Sequence, residues 1–200
     1  MVIKIIGTLL AGGESRRFGS PKAFATYHGK PFYEVVLNQL HPVVNESIIV
    51  TNRDLLEQFS MSTSKDIRVI RDEEKFVGMG PLAGLYSGMT QTNGDLYLTV
   101  ACDMPFVTDG LFSTLIEEMI KHPEAMAVIP VSSGRSQPLC AIYHSSCQSI
   151  IEELLLSGKR KMNDLFELIN AQYITVEELK KQFLNVNTKE EYKFVQKERD

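Results

Sequence analysis

The sequence predicts a three-layer α/β fold, in which a mainly parallel sheet is covered by helices on both faces. Short β-branched runs alternate with helical patterns along the chain, which is typical of repeated strand–helix–strand units. The run at 96–102 is almost continuously apolar, as expected of a strand that helices cover on both sides. A chain of 200 residues with 44% hydrophobic content is long enough to form one full core of this kind.

The elements follow from these patterns in order. Strands are expected near residues 2–10, 46–51, 67–71, 95–102 and 125–131, and helices near 32–40, 53–59, 82–90 and 109–121. A strand-like segment at 138–143 is followed by helical patterns near 146–156 and 161–169. Thr175 with Glu178, and Thr188 with Glu191, have the spacing of capping boxes, so we expect further helices to start there. No repeat or linker interrupts the chain, so residues 1–200 are predicted to form a single domain.

The composition argues against several classes of protein. A net charge of −4, with the basic residues spread along the chain, disfavours a general nucleic-acid or membrane binder. Cys102, Cys140 and Cys147 are odd in number and have no C-x-x-C spacing, which disfavours a disulfide framework and a zinc site. The apolar run at 2–6 is too short for a signal peptide. We therefore expect a cytoplasmic protein that binds a small molecule.

A glycine-rich turn and three cations directly follow the first predicted strand, within residues 9–22. Gly12 and Gly13 permit positive φ angles and let backbone N–H groups approach a phosphate closely. Arg17 and Lys22 add positive charge to the same stretch, although both residue types are most often simply exposed at a protein surface. The segment predicts a phosphate-binding loop.

This loop differs from the two commonest nucleotide-binding loops. In a P-loop the second glycine is followed at once by Lys and then Ser or Thr, whereas here Gly19 is followed by Ser20 and Pro21. The G-x-G-x-x-G pattern of dinucleotide-binding folds does not occur in this stretch. The residues thus indicate phosphate binding without either standard motif.

Polar side chains follow three of the predicted strands. Asp103 follows the strand at 95–102, Asp72 follows the strand at 67–71, and Asn52 follows the strand at 46–51. At the carboxyl ends of parallel strands these groups are expected to face one ligand, and Mg²⁺ prefers carboxylate oxygens such as that of Asp103. The alternatives are a turn residue for Asp103, a loop acid for Asp72 and a helix cap for Asn52.

At residues 78–85 a glycine-containing loop leads into a helix started by Pro81. Gly80 and Gly84 either admit a ligand or allow close packing of the helix, and the residues alone leave both interpretations open.

The residues at 10–22 resemble the L-A-G-G-x-S-x-R-x-G-x-x-K signature of nucleotidyltransferases, because Leu10 to Gly13, Ser15, Arg17, Gly19 and Lys22 all match it. Over most of the chain the resemblance is to the molybdenum cofactor guanylyltransferase family. Gly-Pro-Leu-Ala-Gly at 80–84 is closer to this branch than to its cytidylyltransferase relatives. The resemblance implies the fold of the nucleotide-diphospho-sugar transferases.

The resemblance also implies roles for particular residues. Lys22, Arg17 and Asp103 would be catalytic, with Asp103 also binding Mg²⁺. The residues implied for nucleotide binding are Leu10, Ala11, Gly12, Gly13, Lys22, Asn52, Asp72, Gly80 and Asp103. Acceptor contacts are implied for Gln137, Asn185 and Asn187. The basic cluster formed by Lys159, Arg160 and Lys161 would meet an anionic acceptor, although such a run is more often a solvated helix end.

The activity implied is transfer of GMP from GTP to molybdopterin, with Mg²⁺ as cofactor. The N-terminal half would bind the nucleotide and the C-terminal half the acceptor. Further proteins of molybdenum cofactor synthesis, or chaperones of molybdoenzymes, are compatible partners, whereas nucleic acid and membrane are not expected. The alternatives are a molybdopterin cytidylyltransferase, a sugar-phosphate nucleotidyltransferase, and a non-catalytic carrier of nucleotide or pterin.

Overall fold

The computed structural model describes residues 2–13, 18–188 and 190–192. Its strands are β1 (Ile5–Leu10), β2 (Thr26–Tyr27), β3 (Lys30–Pro31), β4 (Glu46–Thr51), β5 (Arg68–Arg71), β6 (Leu96–Ala101), β7 (Ala127–Ser132), β8 (Arg135–Ser136), β9 (Cys140–His144) and β10 (Ala171–Thr175). Its α-helices are α1 (Phe32–Leu40), α2 (Arg53–Ser62), α3 (Pro81–Gln91), α4 (Asp109–Lys121), α5 (Cys147–Leu156) and α6 (Met162–Phe166).

The main sheet has the strand order β10-β7-β9-β6-β1-β4-β5, with β8 paired to β7. Strands β6, β1, β4 and β5 run parallel to one another, and Leu10 of β1 is level with Ala101 of β6 and Val50 of β4. Strand β9 is antiparallel to both of its neighbours, β6 and β7. The three strands β1, β4 and β6 therefore end at one edge of the sheet, side by side.

Helices cover both faces of this sheet. Successive residues of a strand point to opposite faces, so Leu9 packs into the core under α1, α2 and α4, while Ile6 packs into the core under α3, α5 and α6. All six residues of β6 are buried, which explains why its sequence is almost continuously apolar. The predicted three-layer fold with a mainly parallel sheet is confirmed.

The sequence predicts most elements within a few residues of their observed bounds, but three expectations are wrong. The first strand begins at residue 5 instead of 2, and the helix expected at 161–169 ends at Phe166. Thr175 does not cap a helix, because it is the last residue of β10, which pairs with β7, and a 3-10 helix follows at Glu177–Phe183. The capping box of Thr188 and Glu191 is confirmed by hydrogen bonds in both directions.

No helix in the described ranges combines the length and the hydrophobicity needed to cross a bilayer.

Candidate active site

A cleft of about 340 Å³ opens at the edge where β1, β4 and β6 end. Its lining comes from the turn after β1, the 3-10 helix Lys22–Phe24, the ends of β4 and β6, and the loop that leads into α3. The lining residues are Leu10, Ala11, Gly12, Gly13, Lys22, Ala23, Val50, Leu55, Asp72, Gly78, Gly80, Pro81, Gly84, Ala101, Cys102, Asp103 and Leu139. The position agrees with the rule that ligands bind beyond the carboxyl ends of parallel strands.

The turn after β1 is held on both sides by backbone hydrogen bonds. Ala11 N donates to Val50 O over 2.8 Å, and Cys102 N donates to Leu10 O over 3.0 Å. A Cβ atom on Gly12 would lie 3.4 Å from Asn52 N, at van der Waals contact with the residue that caps α2. The start of the glycine turn is thereby fixed between β4 and β6.

Asn52 uses both ends of its amide to support this turn. Its Nδ2 donates to Gly12 O over 3.1 Å, and its Oδ1 accepts from Leu55 N over 3.0 Å as the N-cap of α2. Asn52 is not among the lining residues of the cleft. The helix-cap alternative is thus observed, and the predicted contact of Asn52 with nucleotide stays a prediction.

Lys22 and Asp103 form an ion pair at the cleft. Lys22 Nζ donates to Asp103 Oδ2 over 2.5 Å and to Asn187 Oδ1 over 2.7 Å. The side chains of Lys22 and Asp103 are only 15% and 16% exposed, so water compensates neither charge fully. Pro21 precedes the 3-10 helix that begins at Lys22, which places the lysine on a short, rigid turn. The sequence did not predict that Asn187 joins this pair.

Asp72 is the second carboxylate among the described lining residues. Burial raises its pKa to about 6, and a hydrogen bond from the Gly78 backbone opposes that rise. The chain turns sharply beside it, since Gly78 has φ +75° and Gly80 has φ +80°. These positive φ angles favour glycine and shape the wall of the cleft that leads into α3.

Helix α3 packs closely against the floor of the cleft. A Cβ atom on Gly84 would lie 2.9 Å from Leu10 Cδ2 and 3.8 Å from Asp72 Oδ1. Gly84 therefore permits close packing of the helix, which confirms that interpretation. It also lines the cleft, and its contact with a ligand stays a prediction.

Several apolar residues of the lining were not predicted as part of the site. Val50, Leu55 and Leu139 lie at or beside strand and helix ends, where a sequence pattern indicates core positions. Cys102 also lines the cleft, and burial together with the negative charge of Asp103 raises the pKa of its thiol to about 12. The sequence offered one indication that such residues line the site, which is that Cys102 directly precedes Asp103.

The structure brings most of the predicted nucleotide residues together. Leu10, Ala11, Gly12, Gly13, Lys22, Asp72, Gly80 and Asp103 all line one cleft. Arg17 lies outside the described residues, as do Ser15 and Arg16. Gln137 donates from its backbone N–H to Pro130 O over 2.8 Å, Asn185 is exposed, and neither is a lining residue. Their acceptor roles, and that of Asn187, stay predictions.

Comparison with known proteins decides the family. The model of the MobA-like NTP transferase domain matches residues 7–176. The chain belongs to this family. Members at 37% and 39% identity include the probable molybdenum cofactor guanylyltransferases of Halalkalibacterium halodurans and Bacillus cereus. The first match covers 93% of this chain and 94% of the relative, and the second covers 98% and 97%. The predicted resemblance is confirmed.

Solved structures agree with this membership of the MobA-like family. Molybdopterin-guanine dinucleotide biosynthesis protein A from Archaeoglobus fulgidus is 28% identical, with a TM-score of 0.82 over 96% of this chain and 97% of its own. The 4-diphosphocytidyl-2C-methyl-D-erythritol synthase of Anaerococcus prevotii shares the fold, with a TM-score of 0.77 at 16% identity over 98% of this chain and 96% of its own. The chain thus has the nucleotidyltransferase fold over nearly its full length.

Proposed function

We propose that this protein transfers GMP from GTP to molybdenum-carrying molybdopterin, which gives molybdopterin guanine dinucleotide and pyrophosphate. The observation that carries the proposal is the ion pair of Lys22 and Asp103 beside the Gly12–Gly13 turn, within one cleft. Nucleotidyl transfer from a triphosphate requires a cation and a carboxylate, and it is helped by glycine backbone that lets N–H groups approach the phosphates. The names of relatives at 37–39% identity support the choice of guanine nucleotide and pterin acceptor.

The chemistry needs no side-chain base. The terminal phosphate of molybdopterin has a second pKa of about 6, so it is mostly ionised at neutral pH. One of its oxygens attacks the α-phosphorus of GTP in line, and a new P–O bond forms. The bond from the α-phosphorus to the oxygen that bridges to the β-phosphorus breaks, and that oxygen leaves with pyrophosphate. Lys22 would follow the charge that moves onto the leaving group, with Arg17 as a second cation.

The proposal assigns Mg²⁺ to Asp103. Oδ2 of this carboxylate accepts from Lys22, whereas Oδ1 accepts no hydrogen bond within the described part of the chain. The described residues contain no group of three His, Cys, Asp or Glu side chains that would hold a metal by themselves. Water and triphosphate oxygens would therefore supply the other ligands, which is usual for Mg²⁺. When bound, the ion would neutralise phosphate charge in the transition state.

The nucleotide is assigned to the cleft and the acceptor to its rim. The carbonyl oxygen of Arg160 lies 3.9 Å from the position of a Cβ on Gly80, so the backbone of the exposed basic segment Lys159, Arg160 and Lys161 runs beside the cleft. Three positive charges there favour an anionic acceptor, although the chain as a whole carries a net charge of −4. Gln137, Asn185 and Asn187 are the remaining proposed acceptor contacts. The N-terminal half thus holds the nucleotide and the C-terminal half the pterin.

The proposal places the reaction in the cytoplasm, because nucleoside triphosphates are made and kept inside the cell. It requires GTP and molybdopterin and neither nucleic acid nor membrane. Proteins that deliver molybdopterin, or that receive the finished dinucleotide, are compatible partners.

Pyrophosphate release tests the proposal. Purified protein is assayed with Mg²⁺ and carrier-bound molybdopterin in the presence of GTP, CTP or ATP. The Asp103→Asn variant is compared with Asp54→Asn, which changes an exposed carboxylate in the first turn of α2. We expect that, of the three nucleotides, only GTP gives pyrophosphate. The release should be lost in Asp103→Asn and kept in Asp54→Asn. Release with CTP would overturn the base assignment, and binding of nucleotide without release would favour a carrier.

A further inference from the structure

Residues 185–188 and 190–192, near the far end of the sequence, lie close to the Lys22–Asp103 ion pair. Val186 N donates to Asp103 O over 3.0 Å, and the neighbouring Asn187 accepts from Lys22 through Oδ1. Lys22 and Asn187 are 165 positions apart in the sequence. The same short segment thus contacts both members of the ion pair, one through its backbone and the other through a side chain.

Glu191 fixes the backbone of this segment. Its Oε2 accepts from Asn187 N over 2.6 Å and from Thr188 N over 2.9 Å, and Glu191 N donates to Thr188 Oγ1 over 3.1 Å. A capping box accounts for the two bonds with Thr188. It does not account for the bond to Asn187 N, one residue earlier, which is the shortest of the three. Glu191 therefore restrains the residue whose side chain contacts Lys22.

The neighbour of Glu191 attaches the segment to the stretch that carries Lys22. The ring of Tyr192 lies edge-on to Phe18 at 5.5 Å and to Phe32 at 6.0 Å, and its hydroxyl is 3.2 Å from Thr26 Oγ1. Val186 is 1% exposed in the same apolar cluster. Aromatic contacts of this kind hold two segments in a defined relation. Asn187 and Lys22 are thus brought together by packing on both sides of their hydrogen bond.

We propose that Glu191 is a positioning residue for Lys22 in the transfer reaction, an inference that rests on the proposed function. Glu191 does not contact the cleft. It fixes the main chain of Asn187, and Asn187 Oδ1 then holds the Lys22 ammonium in its place beside Asp103. A cation that acts on charge developing in the transition state must be held to within a fraction of an ångström. Loss of the Glu191 carboxylate should therefore lower kcat more than it raises the KM for GTP.

A substrate-free measurement tests the restraint itself. Acylation of Lys22 by a limiting amount of acetic anhydride is quantified by mass spectrometry against exposed Lys65 as internal reference. In Glu191→Met, which has a similar length but no acceptor, we expect acylation of Lys22 to rise about fivefold. Glu191→Gln keeps an acceptor oxygen, and Glu190→Met alters the exposed neighbouring residue, so both should match the wild type. In an Asn187→Ala background, Glu191→Met should add nothing further.

Steady-state kinetics supply the second measurement. We expect kcat of Glu191→Met to fall about tenfold with a KM for GTP within about twofold of wild type, and Glu191→Gln to restore most of the rate. Equal Lys22 acylation in Glu191→Met and Glu190→Met, or additive effects of Glu191→Met and Asn187→Ala, would overturn the proposal. Should Glu191→Met not fold, Glu191→Asp gives the same comparison with a shortened acceptor. Absence of guanylyl transfer in the wild type would sink the proposed function, while the acylation result would still decide whether Glu191 restrains Lys22.

Discussion

Lys22 Nζ and Asp103 Oδ2 lie 2.5 Å apart, although 81 positions separate the two residues in the sequence. Both charges are largely removed from water, and each compensates the other in part. In the proposed reaction a triphosphate would compete with Asp103 for the ammonium, and Asp103 would then be released toward a metal ion. In that reaction, entry of substrate would therefore exchange the partners of both side chains.

The ion pair should contribute measurably to stability in the absence of ligand. We expect a double-mutant cycle of Lys22→Met and Asp103→Asn to give a coupling free energy of about 1–3 kcal/mol, because each single change removes an opposite charge from beside a partly buried one. Urea unfolding without nucleotide measures it. The exposed pair of Lys30 and Glu34, 3.4 Å apart, is the matched control and should give less than about 0.5 kcal/mol. Equal coupling in the two cycles would contradict the prediction.

Asp72 should make the protein less stable as the pH rises from about 4 to 6. Its pKa is raised to about 6 by burial, whereas an Asp in the unfolded chain titrates near 3.9. Between these values the unfolded chain has lost a proton that the folded protein keeps, so raising the pH favours unfolding, and above the folded pKa the penalty stays constant. Asp72→Asn should therefore match the wild type near pH 4 and exceed its stability at pH 7.

Urea unfolding between pH 4 and pH 7.5 measures this difference. Glu57→Gln, which removes one exposed carboxylate on α2, is the control for the loss of a single negative charge. If the difference between Asp72→Asn and wild type does not grow with pH, burial does not raise the pKa of Asp72 in solution.

Asn52 should affect both stability and nucleotide affinity. Asn52→Ala removes the N-cap of α2 and should destabilise the protein by about 1 kcal/mol. It also frees Gly12 O at the cleft, so we expect weaker binding of GTP in a titration. Thr108→Ala removes the N-cap of α4, away from the cleft, and should cost a similar amount without changing GTP affinity. If Asn52→Ala, Thr108→Ala and the wild type bind GTP equally well, the hydrogen bond from Asn52 to Gly12 O does not contribute to nucleotide affinity.

A methyl group added at Gly84 should displace Leu10. Gly84→Ala places a Cβ 2.9 Å from Leu10 Cδ2, and the displaced Leu10 narrows the cleft. We therefore expect the free energy of unfolding to fall by about 1–2 kcal/mol and the KM for GTP to rise several-fold. Gly110→Ala is the control, because its Cβ would meet nothing closer than Thr108 Oγ1 at 3.7 Å. That variant should gain about 0.5 kcal/mol. Thermal unfolding measures the effect on stability, and initial rates measure the effect on the KM for GTP. A Gly84→Ala variant as stable as the wild type would show that the floor of the cleft is loosely packed.

The walls of the cleft were predictable because their signals are local. Gly12, Gly13 and Asp103 stand directly after apolar runs that are strands in the structure, so strand prediction and residue chemistry together indicate a shared edge. The same reasoning placed Asp72 correctly. Asn52 illustrates the limit, since both a ligand contact and a helix cap fit its sequence position, and the observed hydrogen bonds account for the cap.

The remaining features depend on contacts that are distant in the sequence. The pairing of β10 with β7 overrides the capping pattern at Thr175, and no local pattern encodes that pairing. The antiparallel direction of β9 depends on the return path of the chain after β8. Likewise, nothing in the amino-acid sequence of residues 185–188 indicates that Asn187 contacts Lys22. These contacts follow from the assembled tertiary structure.

The separation of Lys22 from Asn187 bears on the order in which the site is made. Every lining residue of the cleft except Leu139 precedes residue 104, and strands β1, β4, β5 and β6 form one contiguous parallel unit. During synthesis the ribosome therefore makes nearly all of the residues that line the cleft before it reaches residue 104. Asn187 and Glu191 are made much later, so Lys22 and Asp103 are in the nascent chain long before the segment that contacts both of them.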